Sequence, residues 1–179
     1  MQEKNRCLKV GILSDSHGQD TLLQEAIDKL KQEGAKYLLH LGDFQTPKNL
    51  EVLANANLPY AAVFGNNDRA LIPYAKDFHI FSEPHYLKIK DTTFKLMHHP
   101  FYFTPDVDVI LYGHLHKFAF ELHHGKLFLN PGEVCARNKP LCEAVLLEIS
   151  KDTFIINYFA KNVETKSFWE QKKFEQKRV

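Results

Sequence analysis

The chain has 179 residues, 44% hydrophobic and 25% charged, with 23 basic against 22 acidic side chains and a formal net charge of +1. That length and balance describe a folded domain with a sizeable core. They exclude a general electrostatic pull toward nucleic acid or a membrane surface.

No apolar run approaches the ~20 residues needed to span a bilayer. The opening Met-Gln-Glu-Lys-Asn-Arg leads into a strand, not into the apolar core of a signal peptide. Cys7, Cys135 and Cys142 lack framework spacing, which predicts reduced thiols used as small buried packing groups in a cytoplasmic protein.

In chain order, residues 9–13 read as a buried strand that stops at Asp15-Ser16-His17-Gly18. Thr21-Leu-Leu-Gln24 has the capping-box pattern, and Leu22, Leu23, Ala26, Ile27 and Leu30 then recur at helical spacing up to Gly34. A second strand, residues 37–41, ends in Gly42-Asp43 and completes a right-handed unit with parallel strands. Pro47 opens a shorter helix running to about Ala56. A third strand, residues 60–64, ends in Gly65-Asn-Asn-Asp68.

The later half predicts hairpins. Residues 86–90 and 93–97 flank Asp91-Thr92, and the second of these strands runs into His98-His99-Pro100. Residues 107–112 form a strand ending in Gly113-His-Leu-His116. Residues 118–122 and 126–129 flank a His-His-Gly turn ahead of Asn130-Pro-Gly132, and residues 144–149 and 153–159 form a last hairpin. Parallel βα units followed by hairpins predict an α/β fold of two packed sheets with helices outside. One domain over residues 1–160 is expected, followed by a basic, aromatic tail over 161–179. The tail is read as a helix packed through Phe168, Trp169 and Phe174, or as a frayed end.

The strand ends carry the chemistry. Asp15 and His17 are two apart, so both can point the same way as the chain leaves the sheet. Ligand chemistry in open α/β sheets sits beyond the carboxyl ends of strands. Alone, Asp-x-His is as well read as a helix cap beside a surface histidine. Yet Asp15, His17, Asp43, Asn66, His98, His114 and His116 place seven nitrogen or oxygen donors on five strand ends. Seven are too many for one tetrahedral ion, and they suit two ions sharing a carboxylate. Imidazole and carboxylate donors without thiolate favour manganese, iron or zinc over calcium or magnesium. His40 lies inside a strand and reads as a core residue or a support behind the ligands. His79, His85, His123 and His124 fall in loops or turns and are assigned no chemistry.

As a set, Asp15-x-His17, Gly42-Asp43, Gly65-Asn66, His98 and Gly113-His114-x-His116 resemble the calcineurin-like metallophosphoesterases. The likeness is greatest to their small, cap-less bacterial and archaeal phosphodiesterases, and Asn130-Pro-Gly132 matches a turn of that subgroup. The resemblance implies a two-sheet α/β sandwich with flanking helices. It implies that Asp15, His17, Asp43 and His116 hold one divalent metal and that Asp43, Asn66, His98 and His114 hold the other, with Asp43 bridging. Manganese is the leading identity, with iron, zinc or nickel as alternatives.

The implied activity is hydrolysis of a small phosphate ester, most of all a diester, by in-line attack of a metal-bridging hydroxide. A non-catalytic protein-interaction scaffold of the same fold and a metal-dependent nuclease are the alternatives. Neutral charge and the lack of an added DNA-gripping domain weigh against the nuclease.

The chain departs from the family pattern twice. Many relatives carry a histidine after the motif asparagine, placed to protonate the leaving group. Here Asn67 stands there and can only hydrogen-bond a phosphoryl oxygen. His99 occupies a position that is often glycine. It is a substitute acid or part of the turn before Pro100, and the restrictive geometry before proline favours the turn.

Overall fold

In β1 (Leu8–Leu13), Val10 and Ile12 face one side of the strand and sit in the core between two sheets, whereas Leu13 joins the apolar group beneath the helices. The same division runs through the whole computed structural model, which describes residues 7–166 and 168–178. After β1 come α1 (Asp20–Gln32), β2 (Tyr37–His40), α2 (Pro47–Ala54), β3 (Tyr60–Val63), a 3-10 helix (Arg69–Tyr74) and β4 (Ile80–Phe81). Next are β5 (His85–Ile89), β6 (Thr92–Met97), β7 (Val109–Tyr112), β8 (Phe118–His123) and β9 (Lys126–Pro131). The last are β10 (Leu141–Ile149), β11 (Thr153–Asn162) and β12 (Glu170–Lys177).

The larger sheet has the order β12-β11-β10-β1-β2-β3-β4, and the smaller β5-β6-β7-β9-β8. β1 to β4 are parallel neighbours, and β10 closes onto β1 antiparallel. The smaller sheet keeps β6, β7 and β9 parallel, with β5 and β8 antiparallel at its edges. Ile12, Leu39, Val145 and Ile156 meet Phe94, Leu96, Val109 and Leu129 in the core between the sheets. On the outer face of the larger sheet, Leu23, Ile27 and Leu30 of α1 and Leu50 and Leu53 of α2 cover Leu38, Ala62 and Leu146. The expected two-sheet sandwich with flanking helices is the observed fold. Among the described residues no helix is long and apolar enough to cross a membrane.

Three local expectations are corrected. The tail is neither helical nor frayed over its main stretch, because β12 pairs antiparallel with β11 along Ala160↔Glu170 to Thr153↔Lys177. Phe174 turns inward onto Phe120 and Phe118, with ring centroids 5.0 and 5.9 Å away. The other seven residues of β12 are polar or charged, which suits an edge strand and hides its alternation. The cap of α1 is Gln19, without a side-chain hydrogen bond, so Thr21 lies inside the helix and makes no capping box. Asp20, at the helix start, instead accepts a 2.5 Å hydrogen bond from Asn49 of α2. The β5–β6 turn is Lys90-Asp91, one residue earlier than expected, with Lys90 at φ +53°. The opening hexapeptide, and with it the start of the expected 1–160 domain, lies outside the described residues.

Candidate metal centre

Five chain segments meet where β1, β2, β3, β6 and β7 end. Backbone bonds tie them together. Asp15 N–H donates to Gly42 O (3.0 Å) and His17 N–H to Asp43 O (2.8 Å), joining the first two turns, while Gly113 N–H donates to His98 O (3.1 Å). The buried Asp68 carboxylate accepts from the N–H groups of Asp43 (2.7 Å), Gly65 (2.8 Å) and Gln45 (2.8 Å), which fixes the second turn against the third. Asn130 donates to Gly113 O at 2.8 Å and steadies the turn carrying His114 and His116.

Five of the seven donors named above sit in the left-handed region: Asp15 (φ +55°), His17 (+43°), Asp43 (+61°), His114 (+65°) and His116 (+54°). That conformation costs a non-glycine residue roughly 1–2 kcal/mol. Five such residues within one cluster are the kind of concentration that functional sites show, although single cases occur in turns at Asn57, His79, Lys90, His124 and Lys166. Gly42 has φ +95° and turns the chain. Gly65 and Gly113 serve a different need, since a Cβ at Gly65 would lie 2.2 Å from Asp43 Oδ1 and one at Gly113 2.1 Å from Ser14 Oγ. They make room for the donors.

The side chains form two adjoining groups. In the first, His116 Nε2 stands 3.2 Å from Asp15 Oδ1 and 3.3 Å from His17 Nε2, and His17 Nε2 stands 3.5 Å from Asp43 Oδ2. In the second, Asn66 Oδ1 lies 2.9 Å from His98 Nε2 and 3.1 Å from His114 Nδ1. The two ring nitrogens are 3.2 Å apart, and His98 Nε2 is 3.4 Å from Asp43 Oδ2. Asp43 Oδ2 therefore belongs to both groups. Donors held about 2.0–2.2 Å from one ion stand roughly 3–3.5 Å apart, which is the spacing found here. Asp15 Oδ1 and His17 Nδ1 are buried and have no hydrogen-bond partner among the described residues. A buried carboxylate oxygen without a hydrogen bond is costly and calls for positive charge beside it, a metal ion or a protonated His116 at 3.2 Å. The donor set fits metal binding.

Two outer partners fix the ring orientations. His98 Nδ1–H donates to Leu41 O at 2.8 Å, and His116 Nδ1–H donates to the Glu133 carboxylate, so each Nε2 is turned toward the site. Burial alone would raise Asp15 and Asp43. Facing imidazoles outweigh it, helped by Ser14 at Asp15 and by Asn67 at Asp43, and hold both carboxyls below the usual carboxylate range. His116 is pushed up to about 11, chiefly by the Asp15 carboxylate it faces. His40 falls to about 3 through burial. It stays neutral between Ser16 (3.1 Å) and Gly42 N–H (3.2 Å), a support behind the ligands and not a donor.

Asn67 does not point away to await substrate. Its side chain donates to Asp43 Oδ2 at 2.8 Å and its backbone N–H to Oδ1 at 2.9 Å. His99 lies in a turn, with Phe101 N–H bonded to His99 O at 2.8 Å, as the proline geometry predicts. Its Nδ1–H also donates to Glu83 at 2.7 Å. Glu83, Asp68 and Glu133 escape sequence reasoning, as does Cys135, a buried thiol whose Sγ lies within 4.8 Å of ring nitrogens of His17 and His116. Burial raises that thiol and keeps it protonated.

Residues 8–152 match the calcineurin-like phosphoesterase superfamily domain. The chain is 30% identical to phosphodiesterase MJ0936 of Methanocaldococcus jannaschii over 141 residues, 72% of this chain and 85% of that one. It is 32% identical to the probable metallophosphoesterase YsnB of Bacillus subtilis over 136 residues, 71% of this chain and 75% of that one. The crystal structure of Vps29 from Chaetomium thermophilum shares the fold, with a TM-score of 0.76 at 12% identity over 96% of this chain and 100% of that one. Seven donors drawn from five strand ends, in a chain matched along most of its length, place this protein in the calcineurin-like phosphoesterase superfamily.

Proposed function

We propose that the chain is a metal-dependent phosphodiesterase acting on small phosphate esters in the cytoplasm. The observation that carries the reading is Asp43 Oδ2, which stands 3.5 Å from His17 Nε2 and 3.4 Å from His98 Nε2 and so is shared by two donor groups. Asp15, His17, Asp43 and His116 would hold one divalent cation, and Asp43, Asn66, His98 and His114 the other. When bound, two such transition-metal ions, manganese first and iron, zinc or nickel as alternatives, supply a water acidified from 15.7 toward about 7 for in-line attack and positive charge for the phosphoryl oxygens.

The chain's own groups do the rest. Asn66 offers a neutral oxygen, which limits the negative charge that a phosphate must approach. The Leu41 carbonyl and Glu133 keep His98 and His116 in the tautomer that leaves Nε2 free. Asn67 can give an N–H to a phosphoryl oxygen but cannot protonate a leaving group, so departure depends on the leaving group's own acidity. His99, braced by Glu83, is a neighbour of His98 that completes the turn. The three free cysteines support the cytoplasmic setting.

The test is hydrolysis of bis(p-nitrophenyl) phosphate by the manganese-reconstituted chain, beside p-nitrophenyl phosphate. Turnover of the diester, absent in Asp43→Ala, is the expected result. A manganese-loaded chain that cleaves neither ester would hand the case to a non-catalytic scaffold of the same fold.

A further inference from the structure

The two ends of the donor cluster face different surroundings. Around His17 the surface is polar, and a cavity of about 370 Å³ there is lined by Gln19, Gln45 and Arg137. Around Asn66, His98 and His114 large apolar side chains are exposed. His99 packs at 4.6 Å against His114, and Phe101 stacks on His99 at 5.0 Å with the rings only 10° from parallel. Phe101 is 72% exposed, a large apolar face turned to water at the rim of the site. Leu115, between His114 and His116, is 53% exposed. On the Asn66 side a cavity of about 340 Å³ is lined by Phe64 and Ile72, the latter 59% exposed, and by the polar Asn66, Asp68, Arg69 and Ser82. That volume falls within the ~300–1,000 Å³ of small-molecule sites.

The loop that presents Phe101 is pinned. Lys95, wholly buried in β6, donates through Nζ to Tyr102 O (3.2 Å), Thr104 O (2.9 Å) and Thr104 Oγ1 (2.7 Å), and pairs with the Asp106 carboxylate. A buried lysine is expensive unless every donor is used. Here its donors fix the backbone of the very segment that exposes three aromatic side chains, Phe101, Tyr102 and Phe103. A platform fixed in advance loses little entropy when something stacks on it.

From this we infer that the site takes phosphoesters carrying an aromatic or heteroaromatic substituent, received by Phe101 beside the Asn66–His98–His114 end. The inference rests on the phosphoesterase reading above and names its substrate class. Phe101 is a specificity-determining residue that touches the substituent and not the phosphorus. The polar Arg137 side leaves the other substituent free to be hydrophilic.

The test reads binding, so it does not depend on turnover. The affinities of phenylphosphonate and methylphosphonate for the manganese-loaded chain are measured by calorimetry. The expected phenyl-to-methyl affinity ratio is about tenfold, in line with aromatic stacking plus apolar contact. Phe101→Ala should bring the ratio close to one, and Phe101→Trp should keep it. Phe101 is exposed, so these variants keep the core intact. Equal affinities in the wild-type chain, or a ratio unmoved by Phe101→Ala, overturn the inference. A wild-type ratio near ten in a chain that hydrolyses no diester would sustain the aromatic site and defeat the phosphodiesterase reading. Binding of neither phosphonate overturns both.

Discussion

Asp15 Oδ1 and His116 Nε2 stand 3.2 Å apart in a buried setting, and that oxygen has no hydrogen-bond partner among the described residues. The contact makes sense as two ligand atoms facing a common cation. Without a cation, charge attraction must substitute, and the imidazole keeps its proton up to about 11.

Metal binding should therefore release protons. His116 has its pKa raised from an ordinary 6.5, so acid strengthens the proton's hold and opposes the metal. Manganese affinity should rise with pH between about 6 and 9, by up to about tenfold per unit for one displaced proton. Calorimetric titration in buffers of different ionisation enthalpy counts the protons. An affinity flat across that range would speak against His116 as a ligand.

Glu133 positions His116 from behind. It is fully buried and also accepts N–H bonds from Asn138 (3.0 Å) and Lys139 (3.1 Å). Glu133→Gln keeps the shape and loses the charge that orients Nδ1–H. Metal affinity should drop about 10–100-fold, the usual cost of losing such a partner. Manganese titration against the wild-type chain checks it, and an unchanged dissociation constant would remove Glu133 from the account.

Gly65 should tolerate no side chain. A Cβ there would meet Asp43 N at 2.4 Å and Asp43 Oδ1 at 2.2 Å, both held in place by Asp68 and Asn67. Gly65→Ala should cost about 1–3 kcal/mol of stability through overpacking and weaken metal binding further by displacing Asp43. Chemical denaturation of the metal-free protein reads the first effect separately from the second.

Asn67 predicts a steep leaving-group dependence. With no proton donor at that position, aryl diesters should be cleaved far faster than alkyl diesters. Asn67→His should recover some rate for the alkyl leaving groups, where proton transfer is worth about 10²–10⁴-fold when fully positioned. A series of p-substituted aryl and alkyl diesters, in both chains, measures the slope. A flat series would mean that another group, such as His99, already supplies the proton.

Much of the centre was legible because its donors follow apolar strands. Asp15, Asp43, Asn66, His98 and His114 each come at the point where a run such as Val10–Leu13 or Val109–Tyr112 gives way to polar residues, and burial forces those runs into the sheets. The supports were not legible, because nothing local marks them. Asp68 reaches a backbone 25 residues away and Glu133 an imidazole 17 residues away, and only the folded chain brings them near. β12 was hidden for another reason. Its strand character lies in pairing with β11, and charged side chains on a solvent-facing edge carry no hydrophobic period. α1 starts at Asp20, one residue before Thr21, and the side-chain partner of Asp20 is Asn49 of α2, 29 residues away, which no local pattern around Thr21 reveals.

The most direct measurement is anomalous diffraction at the manganese edge from crystals soaked in that ion. Two peaks about 3.5–4 Å apart are expected, with Asp43 between them, His17 and His116 on one, and Asn66, His98 and His114 on the other. A single peak, or none near Asp43, would contradict that pairing.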